Sequence, residues 1–290
     1  MKKFPKFEKN IKIFKKVKFS KKINNIGIEC NKKICYNTLE EQRYVIKRCK
    51  IRVKFLYFIL ISVYNEKGGK TMVTFEDIKK DEAIKTYIKK ADEALDKLGY
   101  TEHSFAHVLK VADTAMYILR ELGHSEHEIE LAGIAGYTHD IGNLINRVDH
   151  SQSGAIMVFR ILDHMDIPAE DIATVVTAIG NHDEGTGVAV SAVAAALILA
   201  DKSDVRRSRV RNSDISTFDI HDRVNYSVED SKLEINGDKS EITLYIKIDV
   251  SISSVMDYFE IFLGRMVMCR KAAAFLGMDF KLNINGQQML

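Results

Sequence analysis

Residues that could bind a metal ion are concentrated in one part of this 290-residue chain. Eight of the nine histidines lie between His103 and His182. His139 and Asp140 are adjacent in an otherwise apolar segment, and Asp201 closes the most apolar helical stretch of the sequence. A carboxylate is costly in apolar surroundings unless a cation compensates its charge. This placement predicts a cation site built from residues that are far apart in the sequence.

The residue types indicate which cation is expected. His103 and His107 are four residues apart and hence share a helix face, His150 opens a predicted helix, and His182 follows another. Imidazoles mixed with carboxylates suit transition metals better than Mg²⁺ or Ca²⁺, which prefer oxygen ligands. The groups exceed the ligands of one tetrahedral site and could serve two ions. We therefore expect one or two divalent transition-metal ions as cofactor, with Fe, Mn, Zn and Co as candidates.

Helices are expected to position these residues. Apolar spacing and end signals predict helices at about 74–98, 101–122, 125–139, 150–165, 168–180 and 189–205. Beyond residue 223, two alternating stretches around Asn236-Gly237 predict a β-hairpin, followed by a long helix over 254–276 and a strand over 280–286. The predicted fold class is mainly α, with a helical metal-binding domain over 72–222 and a small α+β domain of β-β-α-β order over 223–290.

The N-terminal segment differs from the rest in charge. Residues 1–71 contain 20 basic and 5 acidic residues, whereas the remainder contains 23 basic and 35 acidic residues. The codons of Lys-Gly-Gly-Lys at 67–70 can contain a bacterial ribosome-binding sequence, and Met72 follows at a suitable distance. We therefore expect residues 1–71 to be a basic extension that is not genuine coding sequence. The alternative is a basic arm for nucleic acid or an anionic membrane.

The cysteines and the hydropathy pattern indicate a compartment. Cys30, Cys35 and Cys49 lie in the basic extension, so Cys269 alone cannot make the rest a disulfide scaffold. A reducing, cytoplasmic location is the natural interpretation. The apolar run at residues 55–64 rises only about 15 Å as a helix, which is too short to span a bilayer. Neither a membrane nor a nucleic acid is therefore an expected partner.

The order of these motifs resembles that of the HD-domain metal-dependent phosphohydrolases. The similar segments are HVLKVADTA at 107–115, HD at 139–140 and ADKSDV at 200–205. The segments DHSQSGA and TAIGNHDEGTG resemble those that add two histidines in the binuclear branch, which includes bacterial dinucleoside polyphosphate hydrolases. The resemblance spans about 101–212. It implies a helical fold whose metal ligands are His107, His139, Asp140, His150, His182 and Asp201.

The resemblance also implies roles in phosphoryl hydrolysis. Asp140 would bridge two metal ions, and Asp183 or Glu184 would transfer a proton. Basic side chains would hold phosphate oxygens, the candidates being Lys202, Arg206, Arg207, Arg209 and, less directly, Arg147. The run RRSRVR at 206–211 is equally compatible with a solvated face. His103 could donate a hydrogen bond to a ligand instead of being one.

Two functions are compatible with these residues. The leading prediction is hydrolysis of a phosphoester or phosphoanhydride bond in a nucleotide or related small phosphorylated substrate by a metal-activated water. The alternative is a non-catalytic sensor of metal or nucleotide that dimerises through its C-terminal domain. The expected partners are thus a small phosphorylated molecule and, in a homodimer, a second copy of the chain.

Two departures separate this chain from the cyclic-dinucleotide phosphodiesterases of the same superfamily. That branch has a lysine where HDIGN here places Asn143, and it has a longer tyrosine-proline motif where the present chain reads NHDEGTG. Both differences argue against cyclic dinucleotides as the substrate.

Overall fold

The structure, a computed structural model, describes residues 73–290, which belong to one compact unit, Thr71–Leu290. The predictions for the basic extension and for a start at Met72 lie outside the described residues. Helices α1 to α9 span Phe75–Lys80, Glu82–Lys97, Phe105–Leu122, Glu126–Thr138, His150–His164, Ala169–Gly180, Ala192–Ser203, Ile220–Ser227 and Val255–Phe275. Short 3-10 turns lie at Ile141–Leu144, Arg207–Arg209 and Ile215–Thr217.

Capping side chains set most of the helix starts, and they explain where the sequence prediction differs. Asp81 has an extended backbone, and its carboxylate accepts hydrogen bonds from two amides of the first turn of α2. The helix predicted over 74–98 is therefore two helices, α1 and α2. The next helix begins at Phe105 rather than near residue 101, because the Ser104 side chain caps α3. Helix α8 was not predicted, since eight residues carry little periodic signal.

The C-terminal part has the predicted β-β-α-β order. Strands β1 to β4 span Val228–Ile235, Glu241–Ile248, Asp279–Ile284 and Gln287–Gln288, in the sheet order β1-β2-β3-β4. The β1 and β2 strands form an antiparallel hairpin, and α9 connects β2 to β3, which lies parallel to it. The two-residue β4 pairs antiparallel with β3 and was not predicted. The fold class, mainly α with a small C-terminal α+β unit, is confirmed.

Helix α7 lies at the centre of the hydrophobic core. Its residues from Val193 to Ser203 are all buried, and it packs against α3, α4, α6 and α9. The inward faces of the sheet, including Leu244 and Leu282, belong to the same core cluster as these helices. The predicted domain boundary at 222/223 falls inside α8, between the helical part and β1. Whether the two parts are separate domains stays a prediction.

Among residues 73–290, every helix is too short or too polar to cross a bilayer. The expected cytoplasmic location stays a prediction.

Gly142 is expected to be essential for stability, because the 3-10 turn that contains it lies against α5. A Cβ atom at Gly142 would lie 1.9 Å from the carbonyl oxygen of His150. We expect Gly142→Ala to lower the free energy of unfolding by at least about 1–3 kcal/mol, measured by chemical denaturation. Gly264→Ala is the matched control: it lies within α9 with nothing within 4 Å of its Cβ position, and it should stabilise by up to about 1 kcal/mol. Equal stabilities for the two variants would contradict the close packing of turn and helix.

Candidate metal centre

The ends of five helices bring the predicted ligands together. His107 lies in the first turn of α3, His150 is the first residue of α5, and Asp201 lies in the last turn of α7. His139 and Asp140 directly follow α4, and His182 follows α6. The side chains of all six are buried or nearly so. Residues that are up to about a hundred positions apart in the sequence therefore meet inside the protein.

One half of the centre contains two imidazoles and two carboxylates. His107 Nε2 lies 3.5 Å from Asp140 Oδ2 and 3.4 Å from Asp201 Oδ1. His139 Nε2 lies 3.1 Å from Asp140 Oδ2 and 3.7 Å from Asp201 Oδ1. Ligand atoms of His107, His139 and Asp201 all lie within 4.8 Å of one another, which is close enough to share one ion.

The other half contains the two additional histidines. The Nε2 atoms of His150 and His182 are 3.2 Å apart, and His150 Nε2 lies 3.5 Å from Asp140 Oδ1. Ligand atoms of His139, Asp140 and His182 form a second group within 4.8 Å. Asp140 thus directs Oδ2 towards His107 and His139, and Oδ1 towards His150. This position between the halves is the one expected of a bridging carboxylate.

Hydrogen bonds at Nδ1 determine how the rings are oriented. For three of the histidines the partner is a main-chain carbonyl oxygen three residues earlier: His139 to Gly136 O at 2.7 Å, His150 to Arg147 O at 3.0 Å and His182 to Ile179 O at 2.6 Å. For His107 the partner is Asp204 Oδ2, at 2.7 Å. Because these partners are acceptors, each neutral ring carries its proton on Nδ1 and directs the Nε2 lone pair into the centre.

The arrangement fits divalent transition-metal ions. The buried Nε2 atoms of His107 and His139 have no hydrogen-bond partner among the described residues. The Nε2 atoms of His150 and His182 face each other, and oxygens of Asp140 lie 3.1–3.5 Å from the Nε2 atoms of His107, His139 and His150. Hydrogen-bond acceptor atoms that lie close together in a buried space repel one another unless a cation lies between them. The donor set of imidazole nitrogens and carboxylate oxygens is the one that such ions prefer.

The ionisation of these groups is consistent with a cation site. Burial and nearby Arg209 would lower the pKa of His107, but the carboxylates of Asp140, Asp201 and Asp204 around the ring raise it to about 9. Burial lowers the pKa of His182 to about 3, with help from His139 and Lys202. Burial would raise the pKa of Asp140, but the neighbouring histidines hold it well below its ordinary value. The Asp140 carboxylate is therefore ionised at neutral pH.

Asp204 supports the centre and was missed in the sequence analysis. Its fully buried carboxylate accepts a hydrogen bond from His107 Nδ1, and Lys110 and Arg206 each lie 3.0 Å from its Oδ1. Asp204 lies one helical turn after Asp201, at a spacing that places both carboxylates near the end of α7. That spacing in ADKSDV was the signal available in the sequence.

The three arginines that were predicted to bind substrate have internal partners. Arg206 pairs with Glu102 at 3.0 Å and with Asp204. Arg209 is buried and donates to the carbonyl oxygens of Glu102 and Asp204 at 2.9 and 2.8 Å. Arg207 donates to Tyr226 O at 2.6 Å, and its guanidinium lies over the Tyr226 ring. Their role in substrate binding stays a prediction, which these contacts do not favour.

The remaining predicted residues lie at the edge of the centre. Lys202 Nζ lies 2.7 Å from Asp201 Oδ2 and 3.6 Å from Glu184 Oε1. Arg265, from α9, contacts the same Glu184 oxygen at 2.6 Å, so the C-terminal unit also contributes to this edge. Asp183 Oδ1 lies 3.9 Å from His150 Nε2.

His103 lies just outside the set of six. Its Nδ1 lies 2.7 Å from Thr101 O, and its ring centroid lies 5.5 Å from that of His107. The structure therefore places it beside the predicted ligand His107.

Comparison with known proteins identifies the same segment. Residues 104–219 match the family model described as HD domain. An uncharacterized protein of Methanocaldococcus jannaschii is 24% identical over 220 residues, covering 68% of this chain and 83% of that protein. A crystal structure of a predicted HD superfamily hydrolase from an uncultured Thermotogales bacterium is 25% identical, covering 43% of this chain and 67% of that chain, with a TM-score of 0.35. The family match confirms the resemblance seen in the sequence.

Asp204→Asn is expected to weaken metal binding. The substitution removes the charge that holds the His107 ring and leaves Lys110, Arg206 and Arg209 without their shared carboxylate. Loss of such an outer partner typically costs about 10–100-fold in metal affinity. Isothermal titration with Mn²⁺ or Co²⁺ measures the change, and Asp113→Asn, at an exposed position of α3, is the charge-matched control. Equal affinities for the two variants would show that Asp204 does not support the centre.

Metal binding is expected to release at least about one proton per chain near pH 7.5. The pKa of His107, about 9, leaves this ring protonated before a metal ion binds, whereas that of His182, about 3, leaves the latter neutral. A proton therefore competes with the metal at His107, so affinity should fall as pH falls from about 9. Titrations in two buffers that differ in ionisation enthalpy measure the release. A binding enthalpy independent of the buffer would contradict the prediction.

Proposed function

Because this chain carries an HD domain, we propose that it is a metal-dependent phosphohydrolase that cleaves a phosphoester or phosphoanhydride bond in a nucleotide or related small phosphorylated molecule. The HD domain by itself supports membership of a metal-dependent hydrolase superfamily. The phosphorylated substrate is the further step of the proposal.

The observation that carries this proposal is the position of Asp140 between two groups of ligands. One carboxylate oxygen faces His107 and His139, and the other faces His150, which lies against His182. Two neighbouring divalent ions, when bound, supply Lewis-acid charge and an activated water for attack on phosphorus. Hydrolysis of a phosphoester is one of the reactions that such a pair of ions promotes.

The surrounding residues have chemistry that suits this reaction. The buried imidazoles exclude bulk water from the ligand side, which strengthens electrostatic interactions there. Burial would raise the pKa of Asp183, but His150 and Lys202 hold it below its ordinary value. Its carboxylate is thus ionised and able to accept a proton from an attacking water. The Lys202 ammonium holds Asp201 and adds positive charge beside the centre.

The sensor remains the second candidate, because Arg265 of α9 contacts Glu184 beside Lys202. This contact connects the C-terminal unit to the edge of the centre. In a sensor, the same residues would bind metal and nucleotide without turnover.

The test uses the full chain loaded with Mn²⁺, Fe²⁺ or Co²⁺ and a panel of nucleotides, dinucleoside polyphosphates and cyclic dinucleotides. We expect hydrolysis of at least one of the first two classes. Asp140→Asn should lower kcat/KM by more than the roughly 10–100-fold that follows loss of an outer hydrogen-bond partner, because a ligand itself is weakened. Product nucleotides, released phosphate and metal content are measured together.

Asp113→Asn, which changes the same charge at an exposed position of α3, should leave these readouts unchanged. Metal-loaded protein that binds nucleotide without turnover would instead support the sensor. Activity that survives Asp140→Asn at the wild-type level would overturn the proposed site.

A further inference from the structure

Arg147 has an unusual position beside the candidate metal centre. It lies three residues before His150, and its Nη1 lies 3.4 Å from His150 Nε2 and 3.3 Å from Asn143 Oδ1. Its own carbonyl oxygen accepts the hydrogen bond from His150 Nδ1. The guanidinium is half-buried, with its central carbon 5.6 Å from the centroid of the Tyr100 ring. Arg147 thus orients the predicted ligand His150 through its backbone carbonyl and contacts the same ring with its side chain.

Among residues 73–290, no carboxylate forms an ion pair with the Arg147 guanidinium. Arg206, Arg209 and Arg265 each form an ion pair with a carboxylate, whereas Arg147 forms none with the described residues. Asp183 lies within electrostatic range of Arg147, since the guanidinium helps to lower the Asp183 pKa. Asp183 and Arg147 nevertheless do not form an ion pair. A half-buried guanidinium without a carboxylate is available to an anionic ligand.

A metal ion bound to His150 would place a second positive charge beside Arg147, which would further favour an anionic ligand there. The Nη1 donor of Arg147 and an incoming ion both approach the same Nε2 lone pair of His150. Once the ion occupies that lone pair, Nη1 loses its acceptor, and the two positive groups repel each other at short range. An anionic oxygen that contacts both groups compensates the two charges together.

We infer that Arg147 binds the non-bridging oxygens of the substrate's phosphoryl group and that Tyr100 is a positioning residue for its guanidinium; this inference rests on the proposed phosphohydrolase function. The planar guanidinium can donate two parallel hydrogen bonds to two oxygens of one phosphoryl group. The Tyr100 ring, 43% exposed, supplies a flat face that restricts where the guanidinium lies. The ligand class is therefore a phosphoryl group with at least two free oxygens.

The test measures binding of inorganic phosphate to the metal-loaded full chain by isothermal titration. Arg147→Gln should weaken phosphate binding by about 10-fold or more, because charge-assisted hydrogen bonds are lost. Arg147→Lys should give an intermediate affinity, since an ammonium keeps the charge but not the two parallel donors. The metal content should stay at the wild-type level in both variants.

Two further comparisons make the result specific. Arg160→Gln removes the same charge from an exposed position of α5 and should leave phosphate affinity unchanged. Tyr100→Leu should weaken phosphate binding by a few-fold, and Tyr100→Phe, which keeps the ring, should restore it.

The outcomes separate this inference from the proposed function. Wild-type phosphate affinity in metal-loaded Arg147→Gln, alongside hydrolysis by the wild-type chain, would overturn the inference and leave the proposed function intact. Loss of bound metal in Arg147→Gln would also overturn it, because the residue would then act on the centre rather than on phosphate. A metal-loaded wild-type chain that binds phosphate through Arg147 but hydrolyses none of the panel would overturn the proposed function only.

Discussion

Mutual repulsion among buried acceptor atoms is the constraint on which this structure depends. Two carboxylates and four imidazole rings meet around the centre, with distances of 3.1–3.7 Å between their closest nitrogen and oxygen atoms. Without a cation this arrangement opposes folding, because buried atoms such as His139 Nε2 have given up water without gaining a hydrogen-bond partner among the described residues. With a cation the same groups attract a common partner, so metal binding and packing support each other.

The helical core resists this repulsion because its central element is buried on every side. Helix α7 packs against α3, α4, α6 and α9, and the ligands lie at the ends of these elements or of their neighbours. Close approach of the backbone at Gly142 and Gly136 shows how tightly the elements are joined. A side chain that projects from the end of a packed helix has little freedom to move. The ligand atoms are therefore held near one another before an ion arrives, which lowers the cost of binding it.

Much of the fold was predictable because the helices and strands carry strong local signals. Apolar spacing together with capping residues such as Ser125 and Ser254 was sufficient for most helix positions, and the β-β-α-β order followed from the change in period. The six residues predicted as ligands could be singled out because their motifs occur in a recognisable order; the structure brings them together, and their role as ligands stays a prediction. The charged residues around them were harder. Whether an arginine faces solvent, substrate or a buried acid depends on tertiary contacts such as that between Arg209 and Glu102, more than a hundred residues apart.

The hydrogen-bond acceptors at Nδ1 divide the four histidines into two groups, which differ in how easily a substitution can remove the acceptor. His139, His150 and His182 are anchored to main-chain oxygens, which every amino acid supplies, so substitution of the anchoring residue leaves the acceptor in place. A shift of the backbone at these carbonyl groups would be needed to release the three rings. His107 is anchored to the side chain of Asp204 instead, and a single base change in that codon can remove the acceptor. Selection on lineages that retain the centre should therefore act on Asp204 nearly as strongly as on the histidine that it holds.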